Sequence, residues 1–174
     1  AFKGNLEMAK YCVANECLID EGACANAASG GQLEVLKYLR EEAKALWDKR
    51  TASWAARNGH LHILEYLVKC KYDEYNEDAC ACAAVGGHLE CLKYLHEEVK
   101  APWDKDTASS AASNGHLHIL EYLVERKFDM FNDYTCRCAA KYGHLDCLKY
   151  LHETAKAPWD EDALREAHYY KQTE

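Results

Sequence analysis

Residues 115–123 read GHLHILEYL, and the same phrase returns along the whole chain. It stands as GQLEVLKYL at 31–39, GHLHILEYL at 59–67, GHLECLKYL at 87–95 and GHLDCLKYL at 143–151, with an earlier GNLEMAKYC at 4–12. Gly31, Gly59, Gly87, Gly115 and Gly143 are each 28 residues apart. A fixed period of this size marks a stacked array, in which each unit buries its apolar face only against its neighbours.

Within the quoted stretch Leu117, Ile119, Leu120 and Leu123 fall two, four, five and eight residues after the glycine. That spacing lays one apolar stripe along a helix. Upstream of each glycine runs an Ala-rich segment with an alanine pair: Ala27–Ala28, Ala55–Ala56, Ala83–Ala84, Ala111–Ala112 and Ala139–Ala140. Alanine favours helix and lets neighbouring helices approach closely. The glycine then ends that helix at a left-handed position. Eleven residues before it stands Asp20, Asp48, Asn76, Asp104, Asn132 and, in a trailing unit, Asp160, the residue types that cap a helix N-terminus.

After the second helix a short loop leads to a large apolar anchor: Ile19, Trp47, Tyr75, Trp103, Phe131 and Trp159. These side chains are placed to plug the seam between units. Pro102 and Pro158 hold two of the return segments extended. Each unit is therefore helix, tight turn, helix, loop. The array divides into a partial repeat at 1–19, full repeats at 20–47, 48–75, 76–103, 104–131 and 132–159, and a closing helix at 160–174. In that last unit Lys171 replaces the glycine and Ala167–His168 the alanine pair, as in a polar cap or at a cut in a longer array. The chain opens on Ala1 inside a unit, as a processed product or a piece of something longer would.

Residues 31–86 and 87–142 agree at 37 of 56 positions, so a two-unit block overlies the single period. Six residues past the glycine the series is Lys10, Lys37, Glu65, Lys93, Glu121, Lys149; three past it Glu7, Glu34, His62, Glu90, His118, Asp146. Opposite charges are thus expected side by side on neighbouring second helices, where each exposed pair contributes about 0–1 kcal/mol and helps set which unit follows which.

A formal net charge of −8 lacks the basic stripe of a nucleic-acid binder. No apolar run approaches the ~18–20 residues of a membrane span, and no signal-peptide pattern opens the chain. Of ten cysteines, Cys24, Cys80 and Cys136 share one repeat column, and Cys91 and Cys147 share another with Val35, Ile63 and Ile119. They stand in for small or branched apolar residues, as buried thiols do. Equivalent cysteines two units apart lie roughly 20 Å from each other at ~8–10 Å per helix layer, too far for a disulfide. A reducing intracellular compartment follows, the cytoplasm first, with organelle and virion left open.

The alanine pair, two-residue spacer, Gly-His and apolar second helix resemble the ankyrin repeat. The pattern AAxxGHLxxLxYL runs from Gly4 to about Asp160, and Thr51, Thr107 and Thr135 sit near the family's opening threonine. The unit is shorter than the ankyrin period and lacks the Thr-Pro-Leu-His opening. The residues are missing from the inter-unit loop, so the resemblance implies an all-α, ankyrin-type solenoid with β-hairpin fingers shortened or absent. It is similar to the compact variety, with Trp-Asp before the first helix, of large viruses and protists. It also implies a protein partner, held on the finger tips and the concave face of the first helices. With the fingers reduced, that face carries more of the contact.

The outward columns of the first helices lie two, five, six and nine residues before the glycine. They supply the candidate contact residues Arg50, Ser53, Trp54, Arg57, Asp78, Asp106, Tyr134, Arg137 and Lys141. Trp54 stands where other units have Asn26, Cys82, Ser110, Cys138 and Glu166, and a tryptophan flanked by Arg50 and Arg57 has the composition of a binding hot spot. The alternative is that Trp54 lies flat on its own array.

His60-x-His62, His116-x-His118, Cys80-x-Cys82 and Cys136-x-Cys138 do not match zinc spacing. Residues two apart on a helix point to nearly opposite sides. The Gly-His histidines, His60, His88, His116 and His144, are instead expected to hydrogen-bond backbone at the interhelical turn. No phosphate loop, paired-carboxylate motif or nucleophile–base pattern appears. The chain reads as a non-enzymatic scaffold or adaptor for a protein partner, without cofactor or metal. The second reading is a permanent accessory subunit of a large assembly.

Overall fold

The computed structural model describes residues 5–15, 20–163 and 165–166. A lone helix, α1 (Asn5–Ala14), leads into five helix pairs. They are α2 (Glu21–Ser29) with α3 (Leu33–Glu41), α4 (Lys49–Arg57) with α5 (Leu61–Lys69), and α6 (Glu77–Gly86) with α7 (Leu89–Lys93). The last two are α8 (Lys105–Ser113) with α9 (Leu117–Glu125) and α10 (Asp133–Lys141) with α11 (Leu145–Glu153). Helical turns follow at 161–163 and 165–166. Among the described residues there is no strand, so the solenoid is all-α and carries no hairpin fingers. Ile19, Ala167, His168 and Lys171 lie outside the described residues.

The first helices stack in one row, α2 on α4 on α6 on α8 on α10, and this row packs far more closely than the row of second helices. Side-chain size explains the difference. The alanine pairs and Cys24, Cys80 and Cys136 are buried at 0–6 % exposure and let the first helices meet nearly backbone to backbone. The second helices present Leu36, Ile63, Leu64, Leu92, Ile119, Leu120 and Leu151, all fully buried between the two rows. Unequal spacing curves the array toward the row of small residues.

The local signals act as their chemistry dictates. The Asp20, Asp48, Asp104 and Asn132 side chains accept from Ala23 N (3.2 Å), Arg50 N (2.9 Å), Asp106 N (3.0 Å) and Thr135 N (3.0 Å). Asp160 likewise accepts from Ala163 N at 3.2 Å. Asn76 departs from the expectation. Its backbone is extended like the others, but it makes no cap bond and its Nδ2 donates to Asp78 Oδ2 at 2.8 Å. Its Oδ1, the atom that would cap the helix, is buried without a hydrogen-bond partner among the described residues.

All five repeat glycines have φ between +66° and +75°. Five lysines share the left-handed region: Lys44, Lys71, Lys100, Lys127 and Lys156, one at the end of each paired second helix. Thirteen residues separate glycine from lysine in the first, third and fifth pairs, and twelve in the second and fourth. The extra residue is absorbed by i→i−5 hydrogen bonds, Ala43 N to Tyr38 O and Ala155 N to Tyr150 O, each 3.0 Å. After α7 it forms a whole π-helical stretch, Tyr94–Val99. A lysine recurring twelve or thirteen residues after each glycine was the sequence signal for these stops, but lysine is not a residue that advertises a left-handed backbone.

The anchors fill the seams. Trp47 meets Tyr72 edge-on at 5.5 Å, Tyr72 meets Tyr75 at 4.8 Å, and Trp103, Phe128 and Phe131 repeat the chain at 5.6 and 4.9 Å. Trp159 differs, being 45 % exposed.

The charge alternation does not act as expected. Lys10, Lys37 and Lys93 pair within their own helices, with Glu7, Glu34 and Glu90 at 2.8–3.0 Å, because i,i+3 partners are nearer than the next unit. Ion pairs between units lie elsewhere, as in Arg126 with Glu97, which also accepts from Tyr122 OH at 3.0 Å.

Candidate functional site

The concave face is built by the row of first helices. Nine-residue helices with an alanine pair on one side leave two or three turns of side chain for the opposite side. On that side Arg50, Arg57, Asp78 and Asp106 are exposed, with Trp54 at 37 % and Tyr134 at 53 %. Arg137 and Lys141 are half-buried.

Ser53 is a correction: it is 5 % exposed, with its hydroxyl donating to Lys49 O at 3.0 Å. The column six before the glycine also holds Ala25 and Ser109, both buried. It faces the neighbouring first helix; the long side chains of Arg137 and Arg165 emerge from it, and Ala81 is half-buried where α4 and α6 leave a groove.

Between α4 and α6 lies an open groove of about 200 Å³, lined by Trp54, Ala81, Cys82 and Val85 with Lys49, Arg50, Ser53 and Asp78 at its edge. The charges here are unevenly spent. Arg50 Nε donates to Asp48 Oδ2 at 2.6 Å, and Lys49 lies 3.5 Å from Asp78. Arg57, one turn past Trp54, has no carboxylate within ion-pair distance among the described residues. Burial pushes the Cys82 thiol up, partly countered by the Arg57 guanidinium.

A second recess, of about 120 Å³, lies on α10 and is lined by Ser113, Tyr134, Arg137, Cys138, Lys141, Tyr142 and Glu166. Arg137 Nη2 donates to Asp133 at 2.9 Å, and its Nη1 is 3.7 Å from Asp162. Lys141 Nζ sits 5.6 Å from the Tyr142 ring centre. The Cys138 thiol beside Tyr134 pushes that phenol up.

Three of the four Gly-His histidines bond to backbone across units, whereas His88 covers Gly59 with its ring but makes no hydrogen bond among the described residues. His60 Nε2 pairs with Ser29 O at 3.0 Å, His116 with Val85 O at 3.1 Å and His144 with Ser113 O at 3.1 Å, each reaching into the preceding unit. His62 and His118 do the same to Gly31 O and Gly87 O at 3.0 Å. The geometry corrects one detail. His60 is the N-cap and not a helical residue, so the His60 and His62 rings lie on the same side, with centroids 5.7 Å apart. Each Nε2 nonetheless faces its own main-chain carbonyl. Among the described residues no group of three His, Cys, Asp or Glu side chains is placed to hold a metal ion.

Nine cysteines are described, all as free thiols. Burial pushes Cys80 up to about 12 and Cys24, Cys91, Cys136 and Cys147 up to about 11. Such thiols stay protonated at neutral pH and are poor nucleophiles. No described helix is long and apolar enough to cross a membrane.

A family model described as ankyrin repeats (3 copies) matches residues 23–106, 52–133 and 82–162. Among solved structures, the crystal structure of human ASB11 ankyrin repeat domain superposes with a TM-score of 0.62 at 20 % identity. The alignment covers 83 % of this chain and 76 % of that one, a likeness of fold. No curated protein matches the sequence.

Proposed function

The chain belongs to the ankyrin repeat family, whose members generally serve as protein–protein interaction modules, and we propose that it is a non-enzymatic scaffold that docks a protein partner on the concave first-helix face. The observation that carries this reading is Trp54, 37 % exposed at the edge of an open groove, with Arg50 and Arg57 one turn to either side. Core packing would bury an indole, and solvation alone would not place one there; large amphipathic anchors of this kind dominate binding energy where partners meet. Arg50, Arg57, Asp78, Asp106, Tyr134, Arg137 and Lys141 complete the contact surface, and Ser53 drops out of it.

The unit boundaries at 20–47, 48–75, 76–103, 104–131 and 132–159, with partial ends at 1–19 and 160–174, belong to the same proposal. So does a reducing intracellular compartment, supported by nine free thiols. Absence of intrinsic catalysis is supported by thiols held protonated and histidines committed to main-chain carbonyls.

The test is affinity capture followed by hydrogen-exchange mapping of the complex. Protection is expected on α4 to α10 of the first row. Protection confined to the second helices would contradict the proposal. Recovery of one partner at fixed stoichiometry through every purification step would favour a permanent subunit over an adaptor.

A further inference from the structure

Arg57 and Lys141 occupy the same repeat column, two residues before the glycine, three units apart. The other described members of that column are Ser29, Val85 and Ser113, so these two are its only cations among the described residues. The remaining cations of α4 and α10 are already neutralised: Lys49 by Asp78, Arg50 by Asp48, and Arg137 by Asp133 and Asp162. Arg57 and Lys141 have no carboxylate within ion-pair distance among the described residues, and Glu166, on the wall of the second recess, lies beyond that reach of Lys141. Arg57 lies one turn past Trp54, whose exposed ring lines the recess of about 200 Å³, and Lys141 lines the recess of about 120 Å³ together with the exposed Tyr134.

From this geometry we infer that the concave face takes one extended partner segment with two acidic–apolar clusters, one seated at Trp54 and Arg57 and the other at Tyr134 and Lys141. The inference rests on the concave-face reading above and names the chemistry of its partner. An apolar side chain fills each recess against the ring, and the adjoining carboxylate meets the unspent cation. Charge supports this occupant over a basic one. In a chain of net charge −8, Arg57 and Lys141 are the described cations of the first-helix row that stand near an exposed ring without a carboxylate partner; Lys105 is also unpaired among the described residues, but its helix α8 carries no aromatic ring. Asp106, with no cation within ion-pair distance among the described residues, stands between them and disfavours further acid in the middle of the segment. Three helix layers of ~8–10 Å separate the stations, about 24–30 Å in all. An extended chain rising ~3.3 Å per residue crosses that distance in about eight residues.

The experiment is selection of a phage-displayed random 16-residue peptide library on the intact protein, then binding of the enriched peptides as fluorescein conjugates. The expected sequences carry a carboxylate next to an apolar residue at two positions about eight residues apart. Arg57→Glu and Lys141→Glu should each weaken binding tenfold or more with unchanged melting temperature. Deleting four spacer residues should bring a peptide down to the affinity of one cluster alone. Enrichment of basic or uncharged peptides, or binding indifferent to both charge reversals, overturns the inference. Peptides lost on Asp106→Lys but untouched by Arg57→Glu and Lys141→Glu would overturn it while leaving the concave-face reading intact. No enrichment, or binders that map to the second helices, would sink both.

Discussion

The imidazole of His116 stands directly over Gly87 of the preceding unit, so that a Cβ on that glycine would lie 2.6 Å from the ring carbon Cε1. The same ring's Nε2 meets Val85 O at 3.1 Å. One residue ends a helix, and the next unit's histidine closes over it. Gly31, Gly59 and Gly115 have the same relation to His60, His88 and His144. Among the described residues, Gly143 has nothing within 4 Å of its would-be Cβ.

That contrast separates backbone strain from inter-unit contact. Both Gly87→Ala and Gly143→Ala place alanine in the left-handed region, which costs about 1–2 kcal/mol. Only Gly87→Ala also displaces a histidine from its carbonyl, adding about 1–3 kcal/mol for the lost pairing of a buried polar group. Urea titration should put the midpoint of Gly87→Ala clearly below that of Gly143→Ala. Equal midpoints would remove the histidine lock from the account.

Leu92 is fully buried between the two rows of the third pair. Leu92→Ala should cost about 2–5 kcal/mol, as large-to-small changes in a core do. A cost near zero by chemical denaturation would mean that the rows are not packed on this residue.

Acid should loosen the stack. Burial holds His60, His96 and His116 below the usual imidazole value, with the backbone acceptor of His60 and His116 opposing that shift. His96 is further covered by Trp103, stacked at 3.5 Å. With the folded pKa lowered, the unfolded chain takes up protons first as pH drops past about 6.5. Stability is therefore full above that value and declines as pH falls through the lowered folded pKa. Melting temperature across pH 7.5 to 5 should fall, and less so in a His60→Gln, His116→Gln double variant. A flat profile would contradict the assignment.

Thiol reactivity should sort by repeat column. Cys24, Cys80, Cys91, Cys136 and Cys147 are buried with thiols pushed well above neutral pH. Iodoacetamide at pH 7.5 should leave these five unmodified in the native state and label them on unfolding. Rapid native labelling of Cys80 by peptide mass spectrometry would show that the array opens.

The period, helix caps and left-handed glycines were legible because each depends on a few neighbouring residues, repeated often enough to be recognised. Helix-to-helix placement was less so. Ser53 was misplaced because its column lies at the boundary between the concave face and the neighbouring helix, where exposure depends on how closely that helix packs as well as on side-chain length. The second-helix charges were read as links between units, although partners one turn away in the same helix claim them first. The left-handed lysines went unread because lysine makes no local announcement of that conformation. At the candidate site, the residue types on α4 were visible in the sequence. The spending of Lys49 on Asp78 and the openness of the groove needed three dimensions.

The docking claim is tested most directly by binding of the captured partner to Trp54→Ala, measured beside the variant's thermal melt. A partner anchored on the concave face should bind at least tenfold more weakly, about 1.4 kcal/mol or more, with the melting temperature nearly unchanged, since Trp54 is 37 % exposed. Binding that survives intact while the melting temperature drops would make Trp54 a filler of its own array and contradict the account.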